Sequence, residues 1–142
     1  MRKIDILKVL EAVRPLERRL SMILLAEHGM SPSQYRLLLP LLTSKSLTAS
    51  ELCATLGITK ASGSILIQEL ARAGVIATSP NPEDRRSILI RLTPEGENRM
   101  RAAKEGVAVL EKTLAKQIPE NALKALTHLS RLEFAPKTKR SN

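Results

Sequence analysis

The sequence predicts a mainly α-helical fold with one small β-hairpin, and three observations support this prediction. Helix start and stop signals built from Ser, Thr and Gly recur along the chain. Two short apolar runs flank a charged, turn-rich segment near residues 80–86. Apolar residues also recur at spacings of three and four in both terminal segments. Together these patterns predict a winged helix-turn-helix between terminal helices that form a dimerisation region.

Length and composition limit the class of protein. With 142 residues, the chain has the size expected of one domain. Its 23 Lys and Arg residues outnumber its 14 Asp and Glu residues, and the resulting net charge of +9 favours an anionic partner such as nucleic acid. Tyr35 and Phe134 are the only aromatic residues. Single-strand binding modules are therefore disfavoured, because they stack bases on aromatic rings.

The same data predict a location. A single cysteine excludes an internal disulfide and suits a reducing compartment. The longest apolar run, Leu37–Leu42, is interrupted by Pro40 and is much shorter than a membrane span. Charged residues interrupt any signal-peptide core near the N-terminus. We therefore expect a cytoplasmic protein with no membrane partner.

Residues 1–47 predict two helices. The first has one apolar stripe, formed by Ile6, Leu10, Val13, Leu20 and Leu24. Pro15 predicts a kink or a break into two consecutive helices, and Gly29 supplies the stop. Ser31 and Gln34 form a capping box that opens the second helix, which Pro40 is expected to bend or end.

Residues 48–93 predict the winged lobe. Thr48 begins a second capping box and a short helix, which ends at Gly57. Thr59 caps a longer helix that runs to about residue 73, and the pair has the helix-turn-helix pattern. Val75–Ser79 and Ile88–Leu92 are predicted as the two strands of the wing.

Residues 94–134 predict C-terminal dimerisation helices, and residues 135–142 predict a disordered basic tail. The first helix begins at Thr93-Pro94 and has a near-heptad seam formed by Met100, Ala103, Val107, Leu110, Leu114 and Ile118. Pro119 ends it, and a last helix is expected over residues 122–134. The small winged lobe cannot cover apolar stripes of this length, so we predict a C2 homodimer.

Residues 48–100 resemble the DNA-binding core of the multiple-antibiotic-resistance regulator (MarR) family of bacterial transcription factors. The segments that support the resemblance are Leu56–Thr59, Leu70–Ile76, Pro82–Arg86 and Leu92–Gly96. The most specific of these is the Asp-x-Arg of the wing followed by Leu-Thr-x-x-Gly. The resemblance implies a triangular homodimer whose two winged lobes grip duplex DNA.

Candidate DNA contacts lie on the second helix of the helix-turn-helix and on the wing. Recognition helices present their N-terminal residues to base edges, which selects Thr59, Lys60, Ser62, Ser64 and Gln68. Lys60 can donate to guanine, and Gln68 can bind adenine bidentately. Capping and solvation are the alternative interpretation of these residues.

The wing supplies the second set of candidates. Arg86 is predicted to enter the minor groove, where A·T-rich DNA concentrates negative potential. Asp84 is expected to hold the Arg86 guanidinium by a charge-assisted hydrogen bond, and Arg85 is expected to contact phosphate. Without the family resemblance, the segment would be interpreted as a solvated loop.

Two features depart from the family pattern. Ile65 stands where many members carry Arg, and Gly63 stands where a better helix former is usual. Residues 48–99 hold six basic and six acidic side chains, so the winged lobe is neutral. Either the basic terminal segments supply the phosphate contacts, or DNA binding is weak without another factor.

Effector binding is suggested by the resemblance alone. Related regulators often bind small phenolic anions between the dimer helices and the winged lobe, and Tyr35, Arg14 and Arg18 could line such a cleft. A buried tyrosine in the core is the alternative. Cys53 is interpreted as a small buried thiol, and no metal site is indicated.

The sequence contains no nucleophile elbow and no phosphate-binding glycine loop, so neither an enzyme nor a cofactor is indicated. The predicted function is a homodimeric, DNA-binding transcription regulator, most simply an effector-responsive repressor of a pseudo-palindromic operator. The alternative is a winged-helix dimer that regulates a partner protein without sequence-specific DNA binding.

Overall fold

The computed structural model describes residues 5–129 and 131. They form six α-helices and three short strands, which are α1 (Ile6–Met22), α2 (Pro32–Leu38), β1 (Leu47–Thr48), α3 (Ala49–Leu56), α4 (Lys60–Arg72), β2 (Ile76–Pro80), β3 (Ile88–Leu92), α5 (Pro94–Gln117) and α6 (Glu120–Leu129). A π-helical turn, Ile23–Glu27, extends α1, and a 3₁₀ turn, Leu39–Leu42, follows α2. The predicted basic tail, residues 135–142, and the end of the predicted last helix lie outside the described residues.

The chain divides into two compact units, Met1–Ala108 and Val109–Asn142. The first unit holds one hydrophobic core, to which α2, α3, α4, the sheet and the start of α5 all contribute. Its largest fully buried side chains are Leu24, Met30, Leu37, Leu38, Leu52, Val75, Ile90 and Met100. Residues of the N-terminal segment thus complete the core beneath the helix-turn-helix. The second unit comprises the end of α5 and α6.

The predicted helix signals are confirmed. Ser31 and Thr48 each form a complete capping box, with Gln34 and Glu51 respectively. Three glycines end helices with positive φ, and they are Gly29, Gly57 and Gly74. Pro15 lies inside one continuous α-helix, so the chain does not break into two helices there. Pro40 ends α2 and shifts the chain into the 3₁₀ turn.

The sheet is antiparallel with strand order β1-β3-β2. In the wing, Ile76 pairs with Leu92 and Pro80 pairs with Ile88. The first wing strand begins one residue later than predicted, because the Val75 N–H donates to the Leu70 carbonyl at 3.0 Å and closes α4. The sequence did not predict β1, whose two residues are too few for a periodic signal.

Thr93 joins the end of α4 to the start of α5. Its hydroxyl donates to the Gly74 carbonyl at 2.6 Å and accepts from the Gly96 N–H at 3.0 Å. Its backbone N–H donates to the Val75 carbonyl at 3.0 Å. A Cβ at Gly96 would overlap that same Val75 carbonyl oxygen. The glycine of the Leu-Thr-x-x-Gly motif therefore allows the start of α5 to lie directly against the backbone at Val75, which no other residue would permit.

The terminal helices differ in part from the predicted seams. Met100 and Ala103 of α5 are fully buried in the core of the first unit, so these two of the six seam positions are not free for a partner. In α1, by contrast, Ile6, Leu7 and Leu10 are each more than half exposed. In the second unit, the apolar side of α6 is also exposed. None of the described helices is both long and apolar enough to cross a membrane.

Candidate nucleic-acid interface

The recognition helix α4 is fixed by its cap and by one buried face. The Thr59 hydroxyl accepts from the Ser62 N–H at 3.2 Å and donates to the Ser62 hydroxyl at 3.1 Å. These two candidate DNA contacts thus also perform the capping role that the sequence allowed. Ile67 and Leu70 anchor the opposite face in the core. At the outer surface, Gln34 of α2 donates to the Glu69 carboxylate at 3.3 Å.

Gly63 brings α4 unusually close to α3. A Cβ at this position would overlap the Cys53 sulfur, which is buried in the helix-turn-helix. The interior glycine that departs from the family pattern therefore has a packing cause, which is the room that the Cys53 side chain needs. The interpretation of Cys53 as a buried thiol agrees with its exposure of 5%.

Four of the predicted site residues line one pocket between α3, α4 and the wing. Lys60, Ser64 and Gln68 occupy successive turns of α4, and Arg86 reaches the same pocket from the wing. The pocket has a volume of about 360 Å³. It combines donors on an α-helix with a guanidinium on an adjacent loop, which is the chemistry suited to base edges and phosphates.

Hydrogen bonds within the loop shape the wing tip. The Asn81 amide donates to the Ser87 hydroxyl at 2.9 Å, and the Ser87 N–H donates to the Asp84 carbonyl at 3.1 Å. Asp84 accepts from the backbone N–H of Arg86 at 2.9 Å. The carboxylate therefore shapes the turn, and the expected hydrogen bond to the Arg86 guanidinium is replaced by one to its backbone. This leaves the guanidinium free to meet an external anion.

The cations of the winged lobe form no ion pair with any other described residue, although residues 48–99 have no net charge. Within residues 5–129, the ion pairs shorter than 4.0 Å involve Lys8, His28, Arg101 and Lys124 as the cations. Lys60, Arg85 and Arg86 are exposed and belong to none of them. Neutrality of the segment therefore does not remove positive charge from its tip.

A second, shallower depression lies on the other flank of α4. It has a volume of about 320 Å³ and is lined by Ser33, Arg36, Leu56, Ile58, Ser62, Ile65 and Leu66. The exposed fraction of Ile65 is 59%. The recognition helix thus has a polar flank facing the wing and a mixed flank facing α2.

The candidate effector residues lie in different environments. Tyr35 is 7% exposed and packs within the core, whereas Arg14 and Arg18 are exposed on α1. Burial of the tyrosine fits the core alternative that the sequence left open. Its role toward an effector stays a prediction.

Sequence reasoning missed two groups of residues around the interface. Asn81 and Ser87 close the wing loop, and Ser50 and Cys53 of α3 line the pocket. Asn, Asp and Ser in a short loop between strands favour side-chain turns, so the first pair had a readable signal. The contact of Cys53 with Gly63 had none, because it depends on how two helices cross.

Comparison with known proteins agrees with this geometry. Residues 28–87 match the model of the MarR family. The matched segment is 60 of the 142 residues and includes α3, α4, β2 and the wing tip. The predicted resemblance to that family and the predicted fold class are therefore confirmed, and the predicted class of function, a DNA-binding regulator, agrees with the matched family.

Individual relatives show the same pattern. Over 77 residues, 53% of this chain, the sequence is 35% identical to the HTH-type transcriptional repressor YetL of Bacillus subtilis, and the match spans about half of YetL, 46%. The MarR-family regulator Sco3205 from Streptomyces coelicolor, solved in complex with DNA, is 27% identical with a TM-score of 0.79, covering 87% of this chain and 82% of that one. The PcaV regulator from Streptomyces coelicolor, solved with its natural ligand, is 20% identical with a TM-score of 0.74, covering 92% of this chain and 95% of that one.

Proposed function

We propose that this protein is a homodimeric transcription repressor of the MarR type that binds a pseudo-palindromic operator in duplex DNA. The observation that supports this most directly is the pocket shared by Lys60, Ser64, Gln68 and Arg86. It combines an exposed helix face with an unpaired guanidinium on the wing. The repressor YetL and the DNA complex of Sco3205 support the same function. No part of the proposal requires catalysis or a cofactor.

Residues 48–93 act as the DNA-binding lobe. The exposed face of α4 enters the major groove, with Lys60 and Gln68 directed to base edges and Ser64 to a base or phosphate. Arg86 enters the adjacent minor groove, and Arg85 binds phosphate at the rim. Thr59 and Asp84 hold the helix start and the wing turn in place.

Residues 1–47 and 94–134 form the dimer. Their exposed apolar side chains support this assignment, and they include Ile6, Leu7 and Leu10 of α1 and Leu123, Leu126 and Leu129 of α6. Such surfaces seldom stay open to water in a soluble protein. A dimer places two lobes on one face of the duplex, about one helical turn, ~10 bp, apart. Light scattering should give twice the 15.6 kDa mass of the chain, and the single variant Leu10→Asp should shift it toward the monomer.

Titration of duplex DNA from upstream of the gene tests the binding function. Affinity should fall steeply with salt, because each neutralised phosphate contributes a slope of roughly 0.9 in the logarithmic plot. Arg85→Ala should lower that slope by about one unit, because one phosphate is then no longer neutralised. Lys112→Ala is the matched control, since it removes an exposed cation outside the winged lobe. A wild-type protein that retards no duplex at low salt would favour the protein-docking alternative.

We also propose that a small phenolic or anionic effector releases the repressor by changing the spacing of the two lobes. The ligand complex of PcaV supports this class of regulation. Tyr35, Arg14 and Arg18 are the residues proposed to contact the effector. Calorimetry with a panel of hydroxybenzoates and hydroxyphenylacetates, on the wild type and on Tyr35→Phe, measures whether any of them binds. The proposed location is the cytoplasm.

A further inference from the structure

Ile65 is an apolar side chain at the centre of the exposed face of the recognition helix. Successive α-helical residues are about 100° apart, so Ile65 lies opposite the face that buries Gly63, Ile67 and Leu70. Ala61, one turn earlier, lies on the same outward face and is also exposed. The two residues therefore form a small apolar strip that points away from the core.

Exposed large hydrophobic side chains are few in the winged lobe. Within residues 47–93, all of which the structure describes, the exposed large hydrophobic side chains are Ile65 at 59% and Ile88 at 42%. Ile88 lines the pocket beside Arg86, whereas Ile65 lines the depression on the opposite flank of α4. The remaining exposed apolar side chains belong to the terminal helices. Dimerisation through those helices therefore gives no reason for Ile65.

The polar neighbours of Ile65 define what can cover it. On one side lie Ser64 and Gln68, which face the wing pocket, and on the other lie Ser62 at the helix start and Glu69, whose carboxylate accepts from Gln34. A helix face with an apolar centre and donors beside it suits a base-pair edge that presents a methyl group next to a polar atom. In the major groove of unmodified DNA, only thymine presents such a group.

We infer that Ile65, together with Ala61, contacts the 5-methyl group of a thymine in each operator half-site. This inference rests on the proposed function and adds a specificity-determining residue to it. Ile65 has no donor, acceptor or charge, so it cannot add phosphate affinity. Its effect is confined to which base is accepted at one position, and a cytosine there lacks the methyl group and presents an amino donor in place of the thymine O4 acceptor.

The test begins with selection of bound duplexes from a pool with a random central segment. The wild type should select a thymine at one fixed position in each half-site. That selected duplex is then compared with a copy that carries deoxyuridine in place of this thymine, which removes only the methyl group. Burial of one such group corresponds to about a fourfold change in affinity per half-site. Deoxyuridine at a thymine outside the half-sites is the matched control and should change nothing.

Ile65→Ala should lose the same affinity on the thymine duplex and should no longer distinguish thymine from deoxyuridine. Ile65→Val keeps a branched apolar side chain and should retain most of the discrimination. Because Ile65 is largely exposed, both variants should melt at the wild-type temperature. The comparison on the wild-type protein needs no variant at all, so a folding defect cannot obscure the result.

The outcomes separate this inference from the proposed function. Selection of a defined sequence whose affinity is insensitive to every methyl group overturns the role of Ile65 and leaves the repressor proposal standing. An Ile65→Ala protein that still discriminates thymine from deoxyuridine has the same consequence. If the wild type selects no sequence, then both the function and the inference are overturned.

Discussion

The recognition helix and the wing meet at one pocket, but they are held in place by different means. Helix α4 is set by burial of Ile67 and Leu70 and by the close contact of Gly63 with Cys53. The wing tip, residues 81–87, is mostly exposed and is shaped by hydrogen bonds between its own residues. Substitutions inside the helix packing should therefore change stability and DNA binding together. Substitutions at the wing tip should change DNA binding alone.

The largest effect is expected from Gly63→Ala. The added Cβ overlaps the Cys53 sulfur, and overpacking of this kind costs about 1–3 kcal/mol in the free energy of unfolding. The double variant Cys53→Ala, Gly63→Ala removes the sulfur. Its loss in free energy of unfolding should therefore be smaller than the sum of the losses of the two single variants. Thermal and urea denaturation measure both. Alanine is also the better helix former by about 1 kcal/mol, so a Gly63→Ala protein that is more stable than the wild type by that amount would show that α3 and α4 are not closely packed.

Arg86→Ala should lower operator affinity by about 1–3 kcal/mol, because it removes a donor proposed to enter the groove. The melting temperature should not change, since the Arg86 side chain is exposed and makes no ion pair shorter than 4.0 Å within residues 5–129. Arg86→Lys should recover part of the affinity only, because lysine lacks the planar fork of arginine. If Arg86→Ala lowered the free energy of unfolding as much as it lowered operator affinity, the wing tip would not differ from α4 in this respect.

Two variants of Asp84 distinguish the hydrogen-bond acceptor role of its carboxylate from the effect of its negative charge. Asp84→Ala removes the acceptor for the Arg86 N–H and should reduce affinity by about 0.5–1 kcal/mol through a looser turn. Asp84→Asn keeps an acceptor oxygen at the same place and should bind as well as the wild type or better, because it also removes a negative charge. If Asp84→Asn were as damaging as Asp84→Ala, the carboxylate charge would be the important feature. Filter binding at fixed salt measures the difference.

The smallest effect concerns Glu51 at the start of α3. Hydrogen bonds from the Thr48 backbone and then from its hydroxyl lower the pKa of Glu51 below its ordinary value of 4.5. A lowered folded-state pKa gives stability that is present above the unfolded pKa and is lost as pH falls through the folded pKa. Glu51→Gln should therefore flatten the decline in melting temperature below about pH 4.5 and leave it nearly unchanged at pH 7. An unaltered acid profile would contradict this role of the capping box.

The elements that the sequence predicted well are those set by local chemistry. The capping boxes at Ser31 and Thr48 and the glycine stops depend on residues three or four apart, so they can be recognised without tertiary structure. The wing strand Ile88–Leu92 has its predicted bounds because its turn signals lie beside it. Lys60, Gln68 and Arg86 line one pocket, and their contact with DNA stays a prediction.

The elements that the sequence did not predict depend on contacts between distant segments. β1 exists because Leu47 pairs with Ile90, more than forty residues later. Met100 and Ala103 fit a dimer seam by spacing alone, but they are buried within the same chain. The carboxylate of Asp84 has a backbone N–H within reach two residues away, and residue type alone could not distinguish that donor from the guanidinium.

Thr93 has a mechanical consequence. One hydroxyl binds both the backbone that leaves α4 and the first turn of α5, and the bare Gly96 backbone is pressed against the Val75 carbonyl beside it. Because these contacts are so close, α4 and α5 cannot rotate independently about this connection. A change in the tilt of the first turn of α5 must therefore also tilt the C-terminal end of α4.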